Sequence, residues 1–258
     1  MSTPRVALTL VASLCFASPA AAGTLLWETE FPDEAVISGA SITTADVQVD
    51  ILTTVFSDND SGGSDLSPFG SNTLFFKAEH GTTGNHAGYG FLGFNNLHDD
   101  PADYLELILT FSLPVEQLAF SLLDIDQRAQ GGASDFSDGI VVTYNGGTNV
   151  IGNPALYTLG PNVIVGDEGF GEFEGLAHGD GDASPNTSTD GNIDFSFGTT
   201  AISSVTFRYF STDDAPANPS GQLAGVSDLS WVAPEPGTGA LVGSGMLFLG
   251  MRRRRQGA

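Results

Sequence analysis

Residues 104–126 read YLELILTFSLPVEQLAFSLLDID, and this stretch is the strongest fold signal in the chain. Leucine and phenylalanine occupy every second position over 105–111 and again over 118–122. An apolar period of two is typical of a β-strand that buries one face and leaves the other accessible. Pro114 lacks a backbone N–H and predicts a turn between the two runs. We therefore predict an antiparallel pair of strands at the centre of a β-sandwich.

The chain outside this stretch shows short alternating runs separated by turn-forming residues, with no long helical periodicity, which is typical of an all-β fold. Residues 25–31 are predicted as the first strand, 127–139 as a loop and 226–232 as the last strand. Asn145-Gly146-Gly147 predicts a hairpin turn. Further strands are predicted at 49–56, 73–78, 140–144, 148–151, 157–159, 163–165, 193–197 and 202–210, with one or two weaker strands over 37–49. Residues 80–96 are glycine-rich and predicted to be irregular, broken by 89–94. Roughly ten to twelve strands suggest a two-sheet antiparallel sandwich of the jelly-roll type.

The N-terminal residues 1–22 are predicted to be a secretory signal peptide. Arg5 supplies the positive charge, an apolar stretch follows, and the small residues Ala20 to Ala22 form the cleavage site. Signal peptidase and the export machinery are therefore expected partners, with cleavage before Gly23. Residues 23–233 then form a single β-sandwich domain, a size that suits one core.

The C-terminal residues 234–258 have a different composition. Pro234, Glu235 and Pro236 end the folded domain, because the prolines cannot continue a strand or a helix. Residues 237–251 carry no charge and predict a short membrane-inserted helix. This segment is shorter than the roughly 20 residues that span a bilayer core, so it predicts a weak anchor. Four arginines follow on the cytoplasmic side: Arg252, Arg253, Arg254 and Arg255.

Pro-Glu-Pro, a short apolar helix and a terminal arginine cluster, in that order, resemble the PEP-CTERM sorting signal. The resemblance implies an exosortase as partner, a transient inner-membrane-anchored intermediate, and delivery to the cell surface or extracellular matrix of a Gram-negative, exopolysaccharide-producing bacterium. The 104–126 pattern, together with Ser227-Asp228-Leu229 near the end, resembles the β-sandwich domains common in PEP-CTERM proteins. Those domains are similar to carbohydrate-binding modules.

The predicted domain is strongly acidic. Residues 23–233 contain three basic side chains, Lys77, Arg128 and Arg208, against 30 aspartates and glutamates, which gives a formal charge of −27. Such a surface repels nucleic acid and anionic membranes, so no nucleic-acid partner is expected. Calcium is the natural counter-charge outside the cell, because it prefers oxygen ligands.

Four groups of carboxylates are candidate calcium ligands. Asp124 and Asp126 are expected to share one face at the end of a buried strand. By the resemblance alone, Glu28 or Glu30 on the first strand is expected to meet Asp228 on the last, as in many carbohydrate-binding jelly rolls. The remaining candidates lie in acidic loops: Asp58, Asp60 and Asp65 in one, and Asp180, Asp182 and Asp190 in another.

The sequence favours a non-enzymatic role. It contains no Gly-x-Ser-x-Gly motif, and its only cysteine, Cys15, lies in the predicted signal peptide. Sugar-binding sites need aromatic side chains, and Tyr89, Phe91, Phe94 and Tyr209 are candidates. We therefore expect an exported cell-surface or matrix protein associated with exopolysaccharide. A calcium-dependent carbohydrate-binding module and a secreted glycan hydrolase with a carboxylate pair are the alternatives.

Overall fold

Strands dominate the computed structural model, in agreement with the all-β prediction. It describes residues 21–32, 35–37, 39–56, 74–76, 92–94, 103–130, 133–166, 169–177, 183, 188–213, 215 and 224–233. The strands are β1 (Ala22–Leu25), β2 (Val36–Ile37), β3 (Gly39–Thr44), β4 (Val47–Phe56), β5 (Leu74–Phe76), β6 (Leu92–Phe94), β7 (Tyr104–Leu123), β8 (Gln127–Gln130), β9 (Ala133–Tyr144), β10 (Thr148–Asn149), β11 (Tyr157–Leu159), β12 (Val163–Val165), β13 (Phe173–Gly175), β14 (Ile193–Ser196), β15 (Ile202–Ser211), β16 (Ala224–Val226) and β17 (Leu229–Val232). One helical turn, α1 (Trp27–Glu30), and two 3-10 turns, Val150–Gly152 and Pro154–Leu156, complete the described elements.

The strands form two antiparallel sheets that share β7. Sheet B has the order β3, β4, β7, β15, β9, β13 and β12, and β8 and β10 pair with the ends of β9. In sheet A, β14 and then β11 lie on one side of β7. On its other side, β17 and β1 lie beside the middle of β7, and β16, β6, β5 and β2 continue from its end.

The inner faces of the two sheets pack against each other. Phe120 in sheet A meets Phe207 in sheet B edge to face, with ring centroids 5.3 Å apart. Phe111 in sheet B meets Trp231 in sheet A in the same way at 5.6 Å. All four side chains are buried. These contacts confirm the antiparallel β-sandwich, whereas its finer assignment to the jelly rolls stays a prediction.

β7 is one continuous strand of 20 residues, so the predicted turn at Pro114 is wrong. Residues 104–111 pair with β4 and β15 in sheet B, and residues 116–123 pair with β14, β16 and β17 in sheet A. Pro114 lies at the crossing between them, where the ladder to β15 skips from Thr110 to Val115. Its missing N–H therefore removes no ladder hydrogen bond, and the strand continues.

The first predicted strand is also wrong over most of its length. β1 ends at Leu25, and the following residues form α1. Trp27 explains the change, because its backbone N–H donates to Asp228 Oδ1 at 3.0 Å and its indole N–H donates to the Ser227 carbonyl at 2.8 Å. These two hydrogen bonds draw the chain into a turn and bury the indole.

Three other predictions have mixed outcomes. The hairpin turn is confirmed, since Asn145, Gly146 and Gly147 all have positive φ and β10 returns along β9. The loop predicted at 127–139 is wrong, because β8 and β9 form a hairpin there and bury Phe136. The last predicted strand is divided into β16 and β17. β13 was not predicted, and the described residues alone contain 17 strands.

The predicted sorting signal lies outside the described residues, as do residues 1–20 with Ala20. Ala22 and Gly23, which flank the predicted signal-peptide cleavage point, lie in β1 opposite Val232 and Trp231. The compact unit spans Ala22–Ala233. Within the part of the chain that the structure describes, no helix has the length and apolar character needed to cross a membrane.

Candidate functional site

The outer face of sheet B carries a row of aromatic side chains, which we call the aromatic row: Phe56, Tyr104, Phe210 and Phe170. The first three are neighbours by strand register on β4, β7 and β15, so their side chains lie on the same face. Phe56 stacks on Tyr104 with ring centroids 4.4 Å apart, and 39% of Phe56 is exposed. An exposed apolar ring that is fixed by stacking presents a preformed surface to a ligand.

Arg208 adds a polar group to the aromatic row. Its guanidinium carbon lies 4.1 Å from the centre of the Tyr104 ring, so the cation rests on the π face. Glu106 is its direct partner in the strand register. Tyr104 therefore has an aromatic neighbour from β4 and a cationic neighbour from β15. Rings beside hydrogen-bonding side chains are the combination that sugars use, because a sugar has apolar faces and polar edges.

The other end of the aromatic row is covered. Phe170 is 52% exposed and meets Phe210 edge to face at 6.2 Å, whereas Phe210 is buried. Gly139 lies opposite Phe210 in the register, and a Cβ there would lie 2.5 Å from its ring. The glycine thus lets the Phe210 ring lie flat on the sheet, which leaves Phe56, Tyr104 and Arg208 as the open end.

The predicted pair, Asp124 and Asp126, lies near the core, on the side of sheet B opposite the aromatic row. β7 ends at Leu123, so the two side chains do not share a face of a strand as predicted. They nevertheless lie near one group, the Tyr209 hydroxyl, which donates to Asp138 Oδ1 at 2.6 Å. Asp138 also accepts from the Asp126 N–H at 3.3 Å. We call Asp124, Asp126, Asp138 and Tyr209 the acidic cluster; Asp124 is half-buried and the other three side chains are buried.

Burial governs the electrostatics of this cluster. Desolvation raises the pKa of Asp124 to about 7. The pKa of Tyr209 rises well above its usual value, first because the ring is buried and then because of the charges of Asp138, Asp126 and Asp124. No group of three or more histidine, cysteine, aspartate or glutamate side chains among the described residues is arranged to hold a metal ion. Calcium binding by Asp124 and Asp126 stays a prediction.

Glu28 and Asp228 lie near each other as predicted, but neither lies on the strand that was predicted for it. Glu28 lies on α1 and not on the first strand, and Asp228 lies between β16 and β17. Asp228 accepts the Trp27 N–H. Burial raises the pKa of Asp228 and the charge of Glu28 adds to this, whereas the Trp27 hydrogen bond lowers it. The two carboxylates are therefore neighbours, and the Asp228 carboxylate supports the fold.

Several predicted residues are placed elsewhere or lie outside the described part. Tyr209 is fully buried, so its prediction as a sugar platform is wrong. Asp190 forms part of a turn, with its N–H bonded to Ser188 Oγ at 2.8 Å. The backbone of Phe94 lies in β6, and nothing is described of its side chain. Outside the described residues lie Asp58, Asp60, Asp65, Asp180, Asp182, Tyr89 and Phe91.

Comparisons with known proteins identify no family and only weak structural similarity. No family model and no curated protein matches the chain. A solved structure of the CBM32-1 and CBM32-2 domains from Clostridium perfringens ZmpB in complex with GalNAc aligns at 10% identity and a TM-score of 0.19, over 86% of this chain and 42% of that one. A structure of the same domains with the M60 catalytic domain gives 10% identity and 0.19, over 87% and 18%. The chain thus spans less than half of either, and the fold assignment depends on the strand register alone.

Proposed function

We propose that this protein is an exported, non-enzymatic cell-surface or matrix protein that holds exopolysaccharide on the open end of its aromatic row. The observation that carries the proposal is the stack of Phe56, Tyr104 and Arg208 on the outer face of sheet B. Export and exosortase sorting are the parts of the proposal that depend on the two chain ends, by the resemblance given above.

The chemistry of the stack favours a glycan over a nucleic acid. A nucleic acid would also stack on rings, but a domain with a formal charge of −27 repels its phosphates. A neutral sugar ring experiences no such repulsion. Its C–H face can lie on Phe56, while Arg208 and Glu106 are placed to bond its hydroxyls. A ring exposed on the outer face of a sheet suits an extended polysaccharide better than a small molecule, which takes a concave pocket.

Binding of the full chain to neutral and acidic polysaccharides, measured by affinity electrophoresis, tests this function. The Phe56→Ala variant is expected to weaken binding about tenfold, because it removes a stacking contact of roughly 1–1.5 kcal/mol. Leu52→Ala is the matched control. Leu52 lies two rows away on the same face of β4 and is 52% exposed, but it offers no ring.

The two variants distinguish a glycan-binding surface from nonspecific apolar adsorption. Wild-type binding that is lost in Phe56→Ala and retained in Leu52→Ala supports the proposal. Equal losses in both variants would point to a general apolar contact. If the host exopolysaccharide in the gel does not slow the migration of the wild-type protein, the proposed function is wrong.

A further inference from the structure

We propose a divalent-cation site at Glu172 and Glu174, on the hairpin formed by β12 and β13. It goes beyond the proposed function and is separate from all the carboxylate groups that the sequence suggested. Glu174 lies in β13 and Glu172 directly precedes this strand. The hydrogen bond from the Gly166 N–H to the Glu172 carbonyl extends the hairpin to Glu172, so the two side chains are expected on the same face. Calcium is the expected ion, because the side chains offer hard carboxylate oxygens.

The backbone brings the two carboxylates towards each other. The Gly166 N–H donates to the Glu172 carbonyl at 2.9 Å, which places Gly166 directly opposite Glu172 in the hairpin. The Glu174 carboxylate fills the space that a Cβ on Gly166 would need. Glu174 therefore leans along its strand towards Glu172, and a glycine at position 166 provides the room.

Glu172 supplies a second, independent observation. Its side chain has no exposed surface, and neither carboxylate oxygen has a hydrogen-bond partner among the described residues. Leaving an ionised carboxylate buried without a partner costs several kcal/mol, so native structures pair it with a cation. Between Arg128 and Arg208 the sequence contains no lysine or arginine, so a basic partner would have to come from another strand. The Arg208 guanidinium lies over Tyr104, on the side of β15 away from β13.

The position of the site gives it a structural role. The same loop carries Phe170, which covers Phe210 at the closed end of the aromatic row. Asn149 fixes the loop from one side, because its amide donates to the Gly171 carbonyl at 2.7 Å. A cation held by Glu172 and Glu174 would fix it from the other. Two carboxylates provide up to four of the six to eight oxygens that calcium takes, and loop carbonyls and water complete the shell.

Thermal unfolding of the full chain at pH 7 tests the site, in calcium, in magnesium and in EDTA. Saturating calcium is expected to raise the wild-type Tm by about 5–10 °C, because a ligand that binds only the native state stabilises it. Glu172→Gln keeps the shape of the side chain and is expected to abolish this rise. Glu116→Gln is the control, since Glu116 is an exposed glutamate on β7.

The outcomes decide between the possibilities. A calcium response that is retained by Glu116→Gln and lost in Glu172→Gln supports the site. A response retained by Glu172→Gln overturns it and moves the ion to another cluster, such as Asp124 and Asp126. A wild-type chain without a calcium-specific response also overturns it. If Glu172→Gln does not fold, calorimetric titration of Glu174→Gln decides: at least tenfold weaker calcium binding supports the site, and unchanged binding overturns it.

Discussion

At the scale of single residues, Asp124 shows how burial and charge oppose each other. Its pKa is raised from the ordinary 3.8 to about 7 because the carboxyl is desolvated. The native state therefore keeps a proton that the unfolded state has already released between these two values. The stabilisation is fully present below about pH 4 and is lost as the pH rises towards 7. Asp126, Asp138 and Tyr209 are the titratable groups around it.

We expect the Asp124→Asn variant to remove this pH dependence. Asparagine tolerates the left-handed backbone at this position, where φ is 64°. The variant should be more stable than the wild type at pH 8, by on the order of 1–3 kcal/mol, and should differ little at pH 4. Chemical denaturation at both pH values measures the difference.

Asp50→Asn is the control for this measurement, because the Asp50 pKa is shifted in the opposite direction. Hydrogen bonds from Ser41 and Gln48 lower it, so the stability it contributes is present at high pH and is lost in acid. This variant should not gain stability at pH 8. An equal gain in both variants would show that overall negative charge matters, and not the burial of Asp124.

The sequence predicts part of the acidic cluster but no residue of the aromatic row, for a clear physical reason. Asp124 and Asp126 were recognised because they follow an apolar run in the chain. The sequence places Asp138 on a loop after this pair, but its contact with Tyr209 is not predictable, because that contact depends on the register of β9 with β15. The stack of Phe56 on Tyr104 has the same origin, since β4 and β7 are distant in sequence. Local alternation predicts which face a side chain takes, but not which strand lies beside it.

At the scale of elements, the alternation of buried residues along β7 changes phase once. Its buried positions are odd-numbered up to Val115 and even-numbered from Leu118 to Leu122. A change of phase by one residue within a continuous strand is what a bulge produces. Gln117 has a φ of 52°, and its N–H donates to the Gly198 carbonyl, outside the ladder. The phase change was visible in the sequence, but Pro114 suggested a turn instead.

We expect the conformation of Gln117 to limit what this position accepts. Gln117→Val should destabilise the protein by about 1–2 kcal/mol, because a β-branched side chain is poorly compatible with positive φ. Gln117→Gly should lower the stability much less, because glycine readily adopts positive φ. Glu116→Val is the matched control, because the neighbouring residue is equally exposed and lies in the ladder with Val232. Urea unfolding measures all three, and similar losses for Glu116→Val and Gln117→Val would contradict a bulge.

At the scale of the whole molecule, the two ends of the β-sandwich lie side by side. β1 pairs with β17, and Ala22 is directly opposite Val232. Asp228 and Ser227 then hold α1 by hydrogen bonds to Trp27. The chain therefore enters and leaves the β-sandwich on neighbouring strands, β1 and β17.

In an exosortase-containing host, cleavage of the chain is expected to depend on the Pro-Glu-Pro motif. If 234–258 is a sorting signal, replacement of Pro234, Glu235 and Pro236 by alanine should leave the chain uncleaved and in the membrane fraction. Deletion of 234–258 should release a soluble chain, because the apolar 237–251 segment is then absent. Replacement of Gly243 by alanine, which keeps the apolar run, is the control and should be processed like the wild type. Immunoblots of membrane, surface and medium fractions measure all four chains. Normal cleavage of the variant with alanine at Pro234, Glu235 and Pro236 would mean that the segment is a simple anchor, and the sorting proposal would fail.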